Sequence, residues 1–166
     1  MQFEKKILDE MERKLWVIVD IIEDDEVRCE MYPASEEYVL PTLVIHLPED
    51  DHDLARLLLL NFVPIPDAGE FTDFLQFYIE FPYDLSAYEE PELLKAIDEL
   101  NRQLPLGHCM TLKPRPDQQY EKMIAMRYMY TLPNEEDIDD GVLLETLMLF
   151  MMSCDAVEMR FLGAAE

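Results

Sequence analysis

Three histidines, three cysteines and 37 acidic residues are the groups with which this 166-residue chain could do chemistry. His46 and His52, with Asp50 and Asp51 between them, offer the donor types that hold a divalent ion. Their separation, on a strand followed by a turn, matches no standard ligand arrangement, so a solvated turn and no bound metal are expected. The acids gather at Glu23 to Glu26, Glu49 to Asp53 and Glu135 to Asp140. The last cluster ends Asp139-Asp140-Gly141, like a calcium loop. Aligning Gly141 with the loop glycine puts Ile138 at a ligand position and Leu147 where a bidentate Glu belongs, so that reading fails. Capping of the helix that follows accounts for Glu135 to Asp137 instead, with Asn134 as N-cap and Asp137 answering it.

Cys29, Cys109 and Cys154 are too scattered for a disulfide framework or a zinc knuckle. An odd number of thiols suits a reducing compartment, and free cysteines usually behave as small buried hydrophobes. His108 precedes Cys109, but neighbours on a strand point to opposite faces and form no dyad. No catalytic residue, cofactor or metal ligand is therefore expected.

Thirteen basic residues against 37 acidic ones leave a formal charge of −24 and a pI near 4.2. Such a surface repels phosphate backbones and anionic lipid, which argues against nucleic-acid and membrane-surface roles. A hydrophobic fraction of 49% nevertheless supplies a core, which argues against disorder. The longest apolar run, Leu147 to Met152, is far short of a membrane span. The N-terminus has no signal-peptide stretch. The expectation is a single acidic, cytoplasmic domain over residues 1–166.

Elements follow from period and punctuation. Phe3, Ile7, Met11 and Leu15 recur every four residues and predict an amphipathic helix. The β-branched run from Trp16 to Val19, with Ile21 and Ile22, predicts a strand, and Glu23 to Glu26 a charged turn. Val27 to Tyr32 alternates as a half-buried strand, and Thr42 to Leu47 reads as another. Leu54 to Asn61 admits a helix capped by Asp53, but Arg56 to Val63 and Phe74 to Phe81 flank the turn Asp67-Ala68-Gly69-Glu70 and favour a hairpin, with Gln76 and Glu80 on its wetter face. Pro91 opens the clearest helix, whose stripe is Leu93, Ile97, Leu100 and Leu104. Pro105 and Gly107 stop it. Strands are predicted at Cys109 to Lys113 and Met123 to Leu132, the latter with Ile124, Met126, Tyr128, Tyr130 and Leu132 on its core face. The last helix is apolar nearly all round from Leu143 to Met152 and must be covered on more than one side. The order is helix, several antiparallel strands, helix, two strands, helix: an α+β fold, an antiparallel sheet with helices packed on it.

Leu75-Gln76-Phe77-Tyr78 with Phe81-Pro82, then Leu100-Asn101, Leu104-Pro105-Leu106-Gly107 and Arg127-Tyr128-Met129-Tyr130 before a long apolar helix, resembles the YbjN-like proteins. Those are similar in fold to the type III secretion chaperones. The resemblance covers roughly Leu54 to Asp155. It implies a small, acidic, dimeric protein that holds extended segments of clients, and it carries no catalytic residues.

The chain has eleven methionines, whose thioethers adapt to irregular partners. Met123, Met129, Met148, Phe150, Met151 and Met152 are the candidate partner or dimer surface. The expected function is a non-enzymatic protein-binding or chaperone-like module, a homodimer with a protein client. The alternative is a metal-dependent or acid/base hydrolase using an acidic cluster with His. Convergent carboxylates and a His in a concave site would favour the hydrolase, and an apolar groove or an exposed sheet edge would favour the binder.

Overall fold

A computed structural model describes residues 3–23, 27–134 and 136–163. Three helices, α1 (Lys5–Glu23), α2 (Glu90–Asn101) and α3 (Asp140–Phe161), accompany six strands. The strands are β1 (Arg28–Tyr32), β2 (Thr42–Leu47), β3 (Arg56–Phe62), β4 (Thr72–Phe81), β5 (His108–Thr111) and β6 (Ile124–Pro133). They form one open antiparallel sheet in the order β1-β2-β3-β4-β6-β5. The fold is α+β, as the pattern of elements predicts. Two compact units can be distinguished: residues 1–47, 57–77 and 129–144, and residues 48–56, 78–128 and 145–166.

In the first unit β1 pairs with β2 in a register that sets Cys29 against Ile45 and Met31 against Leu43. Leu15, Ile18 and Ile22 of α1 are buried, as are Leu43, Ile45, Leu58, Leu60, Leu75 and Phe77 of the strands. The strand expected from Trp16 is therefore corrected to the second half of α1. Local β-branched preference is weak, and the helical spacing Leu15, Ile18, Ile22 continues the period of Met11 into the core. Trp16 and Val17, which a buried strand would hide, are 48% and 37% exposed. The expected charged turn falls on Glu23, the last residue of α1, and on residues 24–26, which lie outside the described residues.

Asn134 is not the cap of α3. Its amide donates to the carbonyls of Gly69 (3.2 Å) and Glu70 (2.7 Å), and its backbone N–H donates to the Phe71 carbonyl. The helix starts later, at Asp140, and Asp139 caps it by accepting the Val142 N–H at 2.9 Å. Glu136 and Asp137 precede that cap, and Glu135 lies outside the described residues.

The second unit is built on α2 and the β5–β6 pair. Leu93, Ala96, Ile97 and Leu100 form the buried stripe of α2, and Leu104, expected to extend it, lies beyond the helix end. Pro91 is the second helical residue, with Glu89 at the N-cap. Asn101 then acts as a substitute strand: its side chain accepts the Cys109 N–H at 2.8 Å and donates to the Cys109 carbonyl at 3.0 Å. Ser153 of α3 does the same for Leu106, accepting its N–H at 3.2 Å and donating to its carbonyl at 2.6 Å. Gly107, between them, sits at φ +91°, and a β-carbon there would approach Met126 Cγ at 3.2 Å. The link from α2 to β5 is thus held by two side chains and one obligatory turn.

Ile97 and Leu100 should each cost roughly 2–5 kcal/mol when truncated to Ala, whereas Glu92→Ala and Lys95→Ala, on the exposed side of α2, should change stability by less than about 0.5 kcal/mol. Four urea titrations check this, and equal midpoints across the set would refute the packing of α2.

Candidate functional site

Of the histidine-bearing acidic segment, the second unit contains residues 48–56, and there a turn is wound around Asp50. Asp50 Oδ1 accepts the N–H groups of His52 and Leu54, both at 2.9 Å, while the Asp53 N–H donates to the Asp50 carbonyl. The turn closes with Asp53 at φ +60°, a left-handed conformation that short polar side chains tolerate. Asp50 Oδ2 accepts the Tyr83 hydroxyl at 3.1 Å. Burial first, and then the charge of Asp50, push that hydroxyl well above its ordinary value, so Tyr83 is a fixed donor.

The turn is tied to α3 by Glu158. Its Oε2 accepts the Asp51 N–H at 2.8 Å and lies 3.1 Å from His52 Nδ1. Arg56, the first residue of β3, donates from Nη1 to Asp155 at 2.8 Å and places Nη2 3.8 Å from Glu158 Oε1. Asp50, Arg56, Tyr83 and Glu158 are all buried. Donor atoms of Asp50, His52 and Glu158 lie within 4.8 Å of one another. This is the chemistry of a mixed His and carboxylate cation site, but its donors already answer N–H and O–H groups of the protein. The Arg56 guanidinium beside Glu158 also repels a second cation. The group reads best as a buried polar tie between turn and helix.

Sequence reasoning anticipated His52 and Asp50 but paired them with His46 and Asp51. His46, in the first unit, faces Glu30 at 3.7 Å instead, and Asp51 contributes its main chain rather than its carboxylate. Glu158 was missed. One signal pointed to it: a charged residue falling on the buried stripe of an apolar helix, next to Cys154 and Val157.

Cys109 and Cys154 are buried, and burial raises both thiols to about 12. Burial, and then Glu23, also raise Cys29. All three are free thiols, and none is set up as a nucleophile. His108 is exposed where Cys109 is buried, as alternation along β5 requires.

A second acid is held on β4. Glu80 accepts both Arg115 Nη1 (2.8 Å) and Nη2 (3.0 Å), together with the Tyr78 hydroxyl at 2.8 Å. Arg115 first, then Tyr78, hold the Glu80 carboxyl below its ordinary 4.5 against the opposing effect of burial. Burial, then Glu80, raise Tyr78 to about 12. A carboxylate with a lowered pKa stabilises the fold above its unfolded value, and the contribution disappears as pH falls through the folded one. Glu80→Gln should therefore cost about 1 kcal/mol at pH 7, with the gap to the parent closing below about pH 4.5. Paired urea titrations from pH 7 to 3 measure it, and a gap that widens on acidification would refute the assignment.

Two surfaces remain. The first unit has a cleft of about 590 Å³ between the N-terminal half of α1 and the end of the β3–β4 hairpin. Ile7 and Met11 face Phe62, Val63, Ile65 and Phe74 across it. Lys14, paired with Asp73 and placed 5.7 Å over the Phe62 ring, joins the two walls. The second surface is on α3. Of the candidate partner residues, Met123 and Phe150 are corrected to core positions, because both are buried within the chain. Met129 and Met151 are half-buried. Met148 and Met152 are 53% and 49% exposed, and Met159, at 60%, lies in line with them at helical spacing. One face of this helix thus stays open among the described residues.

Among the described residues no helix is long and apolar enough to cross a membrane. Comparison with protein-family models found no match, and neither did comparison with curated proteins.

Proposed function

We propose that this chain is a non-enzymatic, chaperone-like protein-binding module of the cytoplasm, working as a homodimer on extended apolar segments of a protein client. The observation that carries the reading is the line of Met148, Met152 and Met159 along the open face of α3. Unbranched thioethers repack against irregular partners at small cost, which suits a surface that must accept varied sequences. The surrounding acidic surface keeps such an apolar line soluble and disfavours acidic partners. The YbjN-like pattern of the middle of the chain supports the same reading.

The test is suppression of aggregation of a chemically unfolded model protein, together with binding to an array of immobilised peptides. The parent chain should suppress aggregation near stoichiometric ratio and select apolar peptides. Replacing Met148, Met152 and Met159 together by Glu should weaken both by at least about tenfold, with the melting temperature nearly unchanged because all three side chains are exposed. A parent chain that binds no peptide, or a triple variant that binds as well as the parent, overturns the reading.

The hydrolase alternative draws on the convergence of Asp50, His52 and Glu158. It requires that zinc or manganese raise the melting temperature of the parent and not of Glu158→Gln.

A further inference from the structure

We infer that the cleft of the first unit is the surface on which two copies of this chain meet, each inserting the Phe71 corner of its β3–β4 hairpin into the other's cleft. The inference rests on the homodimer part of the proposed reading and adds the surface that would form it. It starts from charge. Lys5, Lys6, Arg13 and Lys14 balance Glu4, Asp9, Glu10 and Glu12, so the first fourteen residues are neutral and the whole formal charge of −24 falls on the remainder. Two copies approaching through most other faces bring like charge to like charge. The N-terminal half of α1, one wall of the cleft, is where that penalty vanishes.

The second observation is the shape of the amphipathic stripe. Leu15, Ile18 and Ile22 of α1 are fully buried, but the same stripe continues upward to Ile7 and Met11, where the cleft leaves it open to solvent. Ile7 is 44% exposed. The helix carries more apolar face than its own unit covers.

The third is the neighbouring corner. Phe71 is 75% exposed, the highest value among the large hydrophobic side chains of the described residues, and it sits between Gly69 and Thr72, both of which line the cleft. A two-fold interface uses one patch on both partners, so that patch must complement itself. A projecting aromatic beside an apolar cleft meets the requirement. Charge agrees with the fit: Asp67 and Glu70 precede Phe71 on the hairpin, while the charged residues lining the cleft are Glu4, Lys6, Glu10, Lys14 and Asp73, of which Glu10 is paired with Arg13 and Asp73 with Lys14, and Lys5 adjoins it. Lys5 and Lys6 make no ion pair among the described residues. Under the two-fold operation the acidic corner of one copy comes to the unpaired Lys5 and Lys6 of the other.

The occupant is a second copy rather than the client. A second copy brings its own Phe71, preceded by Asp67 and Glu70, to the apolar lining and to Lys5 and Lys6.

The experiment is sedimentation equilibrium of the full chain at about 0.15 M salt, where charges beyond roughly 8 Å are screened and contact chemistry decides. The parent should behave as a dimer at micromolar concentration. Phe71→Asp and Ile7→Glu should each raise the dimer Kd at least about thirtyfold, the scale of an anchor residue. Both side chains are exposed, so the melting temperature of the dissociated chain reports that the fold is intact. Lys6→Glu and Glu70→Lys should each weaken the dimer, and the two together should restore it. A photoreactive benzoylphenylalanine at position 71 should cross-link to α1 peptides of an isotope-labelled second copy. A dimer unaffected by Phe71→Asp and Ile7→Glu but lost on Met148→Glu overturns this surface and leaves the homodimer standing. A parent that stays monomeric at 100 μM overturns both, while the peptide-binding test stands separately.

Discussion

Replacing Arg56 by Met should destabilise the protein by about 3–5 kcal/mol at neutral pH, a large share of the 5–15 kcal/mol that holds a domain together. The side chain of Arg56 is 5% exposed and that of Glu158 is 7% exposed. Burial, the largest single effect, works against the charge on Arg56, but the hydrogen bond to Asp155 and the neighbouring negative groups together outweigh it and hold the guanidinium ionised. Methionine keeps most of the volume and removes the cation. Glu158 would then be left as a buried carboxylate with the Asp51 N–H and His52 as its partners, in a segment already dense with acids. Most of the cost comes from the uncompensated charge rather than from a lost contact. Removing both charges, as in Arg56→Met with Glu158→Leu, should therefore recover much of the loss. A double-mutant cycle by urea titration measures the coupling. An Arg56→Met cost below about 1 kcal/mol would mean that water reaches the cluster and that it ties nothing together.

Phe150→Ala should cost about 3–5 kcal/mol, whereas Met148→Ala and Met152→Ala should stay within about 0.5 kcal/mol of the parent. The three residues lie within two turns of α3 and are alike in hydrophobicity. Phe150 has no exposed surface, and its removal leaves a cavity the neighbours fill only in part. Half of each methionine's surface already faces water. Binding should show the opposite ranking, with the methionine changes weakening peptide capture and Phe150→Ala acting only through stability. Comparable destabilisation by all three would mean that α3 is covered on its outer side, and the protein-binding reading would lose its surface.

Elements whose signals are local were legible in the chain. The apolar stripe of α2 and the alternation along β4, with Leu75, Phe77, Ile79 and Phe81 inward, are set by periods within a few residues. So is the turn between β3 and β4, where Asp67 and Gly69 take positive φ. From these, the α+β order follows. The stretch from Trp16 to Ile22 was not legible, because its β-branched side chains favour a strand and only burial of Ile18 and Ile22 in the first unit's core makes a helix the better state. Asn134 has the right chemistry for a cap, but the carbonyls of Gly69 and Glu70, far away in sequence, bind it first. The meeting of His52 with Glu158 spans 106 positions, and no spacing rule reaches that far. The same holds for the methionines: Met148 and Phe150 carry similar hydrophobicity in the sequence, and which one faces water depends on where the rest of the second unit packs against α3. Periodicity records that a face is apolar; only the packed chain determines how much of that face is covered.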